Sequence, residues 1–221
     1  MSGRAVLLAS RNRHKIAEIR DLLADLPIRI VSPDDLGLAP DPAEETLERW
    51  DTFEANALAK AAWFHARSGL PTVSDDSGLC VDGLGGAPGV RSRRFAPDGD
   101  VGSDGRDAAN NRHLLRELGG RPDAERGAHY LCALALIDAR FRVVVFGRCD
   151  GRIAMEPRGD GGFGYDPLFI VPGLGRTFGE LPPEVKAERS HRAAAVRAAR
   201  PWLTPCVQGA APRSSSEVRK D

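Results

Sequence analysis

The sequence predicts an α/β fold on a mixed sheet, and three observations carry that expectation. The wholly apolar run Ala5-Val6-Leu7-Leu8-Ala9 is followed, after a polar loop, by Ile16, Ile19, Leu22 and Leu23 at helical spacing, which reads as a buried strand leading into an amphipathic helix. Apolar stretches from Tyr130 to Ile137 and from Phe141 to Phe146 flank Asp138-Ala139-Arg140 as a hairpin would, adding central antiparallel strands to that opening unit. No internal repeat and no linker divides the chain, so residues 1–203 are expected to form a single domain and 204–221 a mobile tail with little that can pack.

The elements follow in order. Pro27 stops the first helix and Ile28 to Val31 suggests a second strand. Ser32 to Thr46 is rich in Pro and acid, as a loop over a cleft would be. Asp51, with Glu54 three residues on, can cap a helix that runs through Ala-rich sequence to Ser68, where Gly69 and Pro71 stop it. Thr72 to Ser74 predicts a short strand delivering Asp75 and Asp76 at its end, in an acidic turn, before Gly83, Gly85, Gly86, Pro88 and Gly89 impose further turns. A helix is predicted over Asp107 to Leu118, and a last one from Ser190 to Ala199, before Pro201.

Composition removes whole classes of function. The 221 residues carry 31 Lys and Arg against 31 Asp and Glu, so no net field draws the protein to nucleic acid or an anionic membrane. Cys80, Cys132, Cys149 and Cys206 have neither CxxC spacing nor the density of a secreted scaffold, so reduced, mostly buried thiols are expected. The first apolar run is too short to span a bilayer or act as a signal peptide, and a cytoplasmic location is the simplest expectation.

The chemistry gathers in a few stretches. Ser10-Arg11-Asn12-Arg13-His14-Lys15 lies between a buried strand and the first turn of a helix, where free backbone N–H groups and the helix dipole favour an anion; it lacks the Gly-rich Walker pattern. Asn56 and Lys60, four apart, share one helical face and could meet a phosphate or orient a carboxylate. Asp75 and Asp76 are poor choices for packing and good ones for a divalent cation such as Mg²⁺, which prefers few carboxylates, waters and phosphate oxygens; Glu44 or Glu45 can supply a second ligand. In Gly159 to Pro167 the glycines permit close backbone approach, while Phe163 and Tyr165 offer stacking faces to a base beside Gly164 and Asp166. Ser190 can cap a helix opening with His191 and Arg192, with Lys186 just upstream, which collects hydrogen-bond donors.

Taken in order, Ser10 to Lys15, Thr52-Phe53-Glu54-Ala55-Asn56-Ala57, Ser74-Asp75-Asp76-Ser77-Gly78-Leu79, Leu84-Gly85-Gly86-Ala87-Pro88-Gly89-Val90, Phe163-Gly164-Tyr165-Asp166-Pro167 and Ser190-His191-Arg192 closely resemble the inosine triphosphate pyrophosphatase family. The resemblance implies a homodimer with a central mixed, elongated sheet flanked by helices and a cleft between two lobes. It implies conversion of ITP, dITP or XTP to the monophosphate and pyrophosphate with Mg²⁺, cleansing the nucleotide pool. By motif position Ser10 to Lys15 would hold the phosphates, Asp76 would be the general base and a metal-site acid, and Ser77 would touch substrate. Phe163, Gly164, Tyr165, Asp166, Lys186, His191 and Arg192 would form the base pocket, with Glu44 the best match to an upstream metal-site acid and Glu45 beside it. Lys60 would help stabilise the charge leaving on pyrophosphate, and Asp75 is left a supporting role.

Three residues depart from the family pattern: Arg11 and Leu47 stand where Gly is usual, and Arg91 where an aromatic residue is common. Two other functions fit parts of the pattern. One is a pyrophosphatase for other modified nucleotides; the other is a non-catalytic nucleotide- or RNA-binding module, for which loss of Asp76 would be harmless.

Overall fold

The computed structural model describes residues 4–122 and 125–208. Its sheet has six strands in the order β2-β1-β3-β4-β5-β6: β1 (Arg4–Leu8), β2 (Ile28–Val31), β3 (Thr72–Val81), β4 (Gly127–Asp138), β5 (Phe141–Ile153) and β6 (Phe169–Ile170). β1 runs parallel to β2 and β3, and every later pairing is antiparallel, so the sheet is mixed as expected. The helices are α1 (Arg13–Leu22), α2 (Phe53–Ser68), α3 (Gly105–Leu118), α4 (Pro183–Arg189) and α5 (His191–Gln208).

Apolar periodicity decides which helix covers which face. Ile16 and Ile19 of α1 and Val196, Ala199 and Leu203 of α5 pack on Val6, Leu8, Val73, Leu134 and Leu136. On the other face Ala57 and Ala61 let α2 lie close over Ala133 and Ala135. A separate core gathers at the far end of the long strands, where Leu79, Val81 and Tyr130 meet Leu114 and Leu118 of α3, Phe169 and Phe178. Each fully buried Leu or Phe contributes about 1.5–3 kcal/mol, so both ends of the sheet are independently anchored. Asp75 and Asp76 fall on β3 between the two cores.

Four expectations are corrected. β3 does not stop at Ser74: β4 pairs with all of it, Asp75 opposite Leu134 and Asp76 opposite Ala133, so the acid pair is mid-strand rather than in a turn. The ladder satisfies the backbone there, which local turn signals do not reveal, and it also extends β4 and β5 well beyond Tyr130 and Phe146. The cap of α2 is Thr52, whose hydroxyl accepts from Ala55 N–H at 3.2 Å, one residue later than Asp51. α5 continues through Pro201 to Gln208, because Leu203 is buried in the core and Trp202 packs near Phe141, and that packing outweighs the hydrogen bond proline cannot make. Of the expected tail, 204–208 therefore belongs to a helix and 209–221 lies outside the described residues.

Candidate active site

Gly147 on β5 brings α5 against the sheet. A Cβ there would lie 2.0 Å from the His191 carbonyl oxygen and 2.2 Å from Ala195 N, both backbone atoms, so a side chain at 147 would drive α5 away. The Ser190 hydroxyl accepts from Ala193 N–H at 3.1 Å and starts the helix there, which fixes His191 and Arg192 behind the acid pair.

Successive strand residues face opposite ways, and Asp75 and Asp76 meet different surroundings. Asp75 is fully buried. One of its oxygens, Oδ2, receives Lys15 Nζ at 3.0 Å, Arg192 Nε and Nη2 at 3.3 and 3.2 Å, and the Ser77 hydroxyl at 3.2 Å. Burial alone pushes its carboxyl up, but Lys15, Arg192 and Lys60 reverse that and hold it well below the usual carboxylate range. Asp75 is thus a buried counter-ion for the cations around the site, the supporting role its sequence position left undefined.

Asp76 borders a cleft of about 800 Å³. Its Oδ2 accepts from Asn56 Nδ2 at 3.0 Å and its Oδ1 from Ser77 N–H at 3.1 Å. Burial pushes its carboxyl up to about 6, with Glu48 adding to the rise and Lys60 and Lys15 opposing it. Asn56 does not border the cleft. Its carboxamide holds Asp76 on one side and both backbone groups of Trp50 on the other, at 2.9 and 3.1 Å, which makes it an orienting residue rather than a phosphate contact. Lys60 donates to the Asp75 carbonyl oxygen at 2.9 Å and pairs with Glu48; burial lowers its pKa, and Glu48, Asp75 and Asp76 more than restore it, so it stays charged.

The first loop behaves differently from a free anion nest. Asn12 caps α1, its Oδ1 accepting from His14 and Lys15 N–H at 3.0 and 3.2 Å, so two of the expected free N–H groups are already satisfied. Ser10, Arg11, Asn12, His14 and Lys15 border the cleft and Arg13 does not. The Arg11 backbone is not at positive φ, so the loop accepts this side chain without backbone strain. Arg11 is bound to Glu44, donating through Nε and Nη2 at 2.8 Å each. Glu44 therefore has both oxygens engaged, and the acid beside Lys60 is Glu48, which sequence reasoning missed. Its signal was weak: a single acid in the irregular stretch before α2, brought to Lys60 by the turn at 50–52 rather than by any periodicity.

At the other end of the cleft, Gly162 has φ +75° and lies so close to Asp166 that a Cβ would meet its Oδ2 at 2.0 Å. The tight loop lets Asp166 accept Phe163 N–H at 2.9 Å and pair with Lys186 Nζ at 2.6 Å. Burial pushes Asp166 up, opposed by Lys186. Phe163 presents its ring to the cleft, with His14 stacked on it at 5.2 Å and Lys186 Nζ 4.1 Å from its centre. Tyr165 offers no such face: it is buried in the α3 core and donates its hydroxyl hydrogen to the Ser92 carbonyl oxygen at 2.8 Å. Gly164 is held by Asp107 and by Asn111, at 2.7 and 3.0 Å, two partners on α3 that no local motif announced.

His191 stacks on Tyr130 at 4.6 Å, and burial, with Arg192 and Lys186 nearby, drives its pKa well below the usual histidine value, so its imidazole is neutral. Arg192, expected in the base pocket, is buried and aimed at Asp75, Glu18 and, at 3.0 Å, the Ser77 hydroxyl. Lys186 also pairs with Glu18, at 2.8 Å, so Glu18 is a second missed support. Among the described residues the cleft cations Arg91, Arg93 and Arg94, on the 3-10 turn Gly89–Arg94, have no carboxylate partner, whereas Arg11, Lys15, Lys60, Arg106, Lys186 and Arg192 all do.

Asp76 and Glu48 thus border one cleft with Lys15 and Lys60, while Phe163 and Lys186 border it as well. No group of three or more His, Cys, Asp or Glu forms a full metal cage among the described residues. A pair of carboxylates leaves positions for water and phosphate oxygens, which suits Mg²⁺, and burial with Glu48 nearby keeps the Asp76 carboxyl raised despite Lys60 and Lys15, so a cation there would be favoured.

Comparison with known proteins agrees with the geometry. The chain is 44% identical over 236 residues to the dITP/XTP pyrophosphatase of Anaeromyxobacter dehalogenans, covering 93% of this chain and 99% of that protein. It is 47% identical to the dITP/XTP pyrophosphatase of Mycolicibacterium paratuberculosis, covering 90% and 95%. Among solved structures, a HAM1 protein from Coxiella burnetii superposes with a TM-score of 0.77 at 35% identity, covering 94% of this chain and all of that one. With the Ham1 family profile matching residues 6–202, the chain belongs to the Ham1 family.

Proposed function

We propose that this chain hydrolyses the non-standard purine nucleoside triphosphates ITP, dITP and XTP to the nucleoside monophosphate and pyrophosphate, with Mg²⁺, and so cleanses the nucleotide pool. The observation that carries the reading is Asp76: a carboxylate raised to about 6, oriented by Asn56 and Ser77 N–H, at the edge of a cleft also bordered by Glu48, Lys15, Lys60 and the Phe163 ring. The names of relatives at about 45% identity point to the same substrates.

With no cation bound the Asp76 carboxyl is raised to about 6 and so is ionised at neutral pH; held by Asn56 and Ser77 N–H, it is placed to take a proton from an attacking water. The new bond forms between that oxygen and the α-phosphorus; the bond to the bridging oxygen breaks, and the electron pair leaves on pyrophosphate. Lys60, charged and fixed by Glu48 and the Asp75 carbonyl, and Lys15, fixed by Asp75, meet that charge without having to reorganise. Asp76 and Glu48 would hold Mg²⁺, Glu48 in place of Glu44; when bound, the ion supplies charge neutralisation on the phosphate oxygens. The unpaired Arg91, Arg93 and Arg94 are free to face the distal phosphates. Arg13, outside the cleft, is not assigned a contact.

For the base, Phe163 supplies the stacking face and Lys186 a donor beside it, with His191 bordering the same cleft. A purine 6-oxo group accepts from such donors, whereas the adenine amino group would face donor with donor, a penalty that excludes ATP. Arg192 acts one layer back, by holding Ser77. A homodimer is supported by exposed Phe146, which continues the apolar face of β4 and β5 beyond α2, and by exposed Trp50. The free thiols of Cys80, Cys132 and Cys149 fit a reducing, cytoplasmic location, and no described helix is long and apolar enough to cross a membrane. Pyrophosphate release from ITP, dITP, XTP, GTP and ATP, with and without Mg²⁺, tests the proposal: turnover of the first three alone, and only with Mg²⁺, is expected, and absence of release from dITP and XTP overturns it.

A further inference from the structure

Arg11 stands in the loop that faces the phosphates, yet its guanidinium is committed elsewhere. Nε and Nη2 each donate to a Glu44 oxygen at 2.8 Å, Nη2 also donates to the Leu38 carbonyl oxygen at 3.0 Å, and Nη1 pairs with Asp34. These contacts reach three points of the connection between β2 and α2, and the Arg11–Glu44 pair is largely shielded, with side chains 22% and 17% exposed. A two-pronged, shielded pair is the kind of ion pair that carries geometric information, unlike a solvated surface pair. Glu44 relays the contact into the backbone: its Oε1 also accepts Asp41 N–H at 3.2 Å, while the Asp41 side chain accepts Ala43 N–H at 2.8 Å. The 3-10 turn Pro42–Thr46 is fixed at one end by Arg11, and Leu47 N–H closes its other end on the Glu44 carbonyl.

We propose that Arg11 is a positioning residue, a strap that ties the acidic loop to the end of β1 and thereby fixes Glu48, four residues beyond Glu44, opposite Lys60. Without the strap the stretch between β2 and α2 has no regular backbone ladder to hold it, and each ordering of Glu48 costs conformational entropy at the moment of binding. The strap places that cost in folding. An Arg that instead reached for phosphate would leave Glu44 free, and the two arrangements give different mutational patterns.

The kinetic part of this inference rests on the pyrophosphatase reading; the structural part does not, and the experiment separates them. Arg11→Gly, Glu44→Gln, Arg11→Lys and the Arg11→Gly/Glu44→Gln double variant are made in the full chain. Hydrogen exchange of the amides from 34 to 48 is followed, together with dITP turnover against Mg²⁺ concentration. Each of the two principal single variants is expected to speed exchange in that segment about tenfold or more and to lower kcat/KM about tenfold, the double variant no further, since both remove one interaction. The Mg²⁺ concentration for half-maximal rate rises with them, a change that general loss of stability would not produce. Arg11→Lys behaves as Arg11→Gly does, because an ammonium lacks the fork. Unchanged exchange in both single variants overturns the strap, as does a silent Glu44→Gln beside an Arg11→Gly that only raises KM for nucleotide. Wild-type protein inactive on every triphosphate would refute the pyrophosphatase reading while the exchange result still decides the strap.

Discussion

The two faces of β3 carry the same side chain at adjacent positions and treat it in opposite ways. On the face toward α1 and α5, Asp75 is surrounded by Lys15 and Arg192 and held strongly ionised. On the α2 face, Asp76 has one amide and one backbone N–H as direct partners, a second acid nearby, and a carboxyl raised to about 6. The difference shows how a site divides labour between identical groups: full charge compensation makes a rigid counter-ion, and incomplete compensation leaves a group able to exchange protons and attract a cation.

The largest expected effect separates the two in activity. Asp76→Asn is expected to lower kcat about 10²–10⁴-fold with substrate binding largely kept, measured by pyrophosphate release and by nucleotide titration of the variant. The next separates them in stability. Asp75→Asn leaves the buried Arg192 and the part-buried Lys15 without their shared partner and should cost about 3–5 kcal/mol in denaturant unfolding. Asp76→Asn should not; if both cost alike, the division between the faces is wrong.

The pH dependence of stability sharpens the contrast, measured on Mg²⁺-free protein. The folded pKa of Asp75 lies below its unfolded value, so its contribution is present above pH about 4 and is lost as pH falls further. The folded pKa of Asp76 is raised to about 6, so ionising it in the folded state costs stability as pH rises from about 4 to 6, a cost of up to about 3 kcal/mol that persists above that range. Relative to wild type, Asp76→Asn should therefore gain stability between pH 4 and 7 and level off; a flat difference would mean that the Asp76 carboxyl is not raised in the folded protein. The smallest effect concerns the far end of the cleft. Phe163→Ala should raise KM for dITP about 10–100-fold with a lesser change in kcat, since base stacking on an aromatic ring is worth about 1–3 kcal/mol.

How much of this was legible in the sequence follows the range of the interactions. The opening strand and helix, the hairpin and the Ser190 cap depend on neighbours in sequence and were read correctly, as was the identity of Asp76, Lys60 and Phe163 as members of one cleft. What failed was decided at a distance. The pairing of β4 with all of β3 turned a supposed acidic turn into mid-strand, and burial of Leu203 carried α5 past Pro201. The pairing of Arg11 with Glu44 and of Glu48 with Lys60 was likewise decided at a distance, and no local signal announced either. Tyr165 and Arg192 border the cleft as expected, but their polar ends are claimed from a distance, the Tyr165 hydroxyl by the Ser92 carbonyl and the Arg192 guanidinium by Asp75, which a motif of residue type and spacing does not reveal.

On this mechanism Asp76 directs water to the α-phosphorus of a 6-oxopurine nucleotide. Its most direct measurement is a single turnover of dITP in heavy-oxygen water with Mg²⁺, followed by mass analysis of both products. Label in the deoxyinosine monophosphate alone, and almost no turnover with Asp76→Asn, is the predicted result; label in pyrophosphate, or equal turnover by the variant, would contradict it.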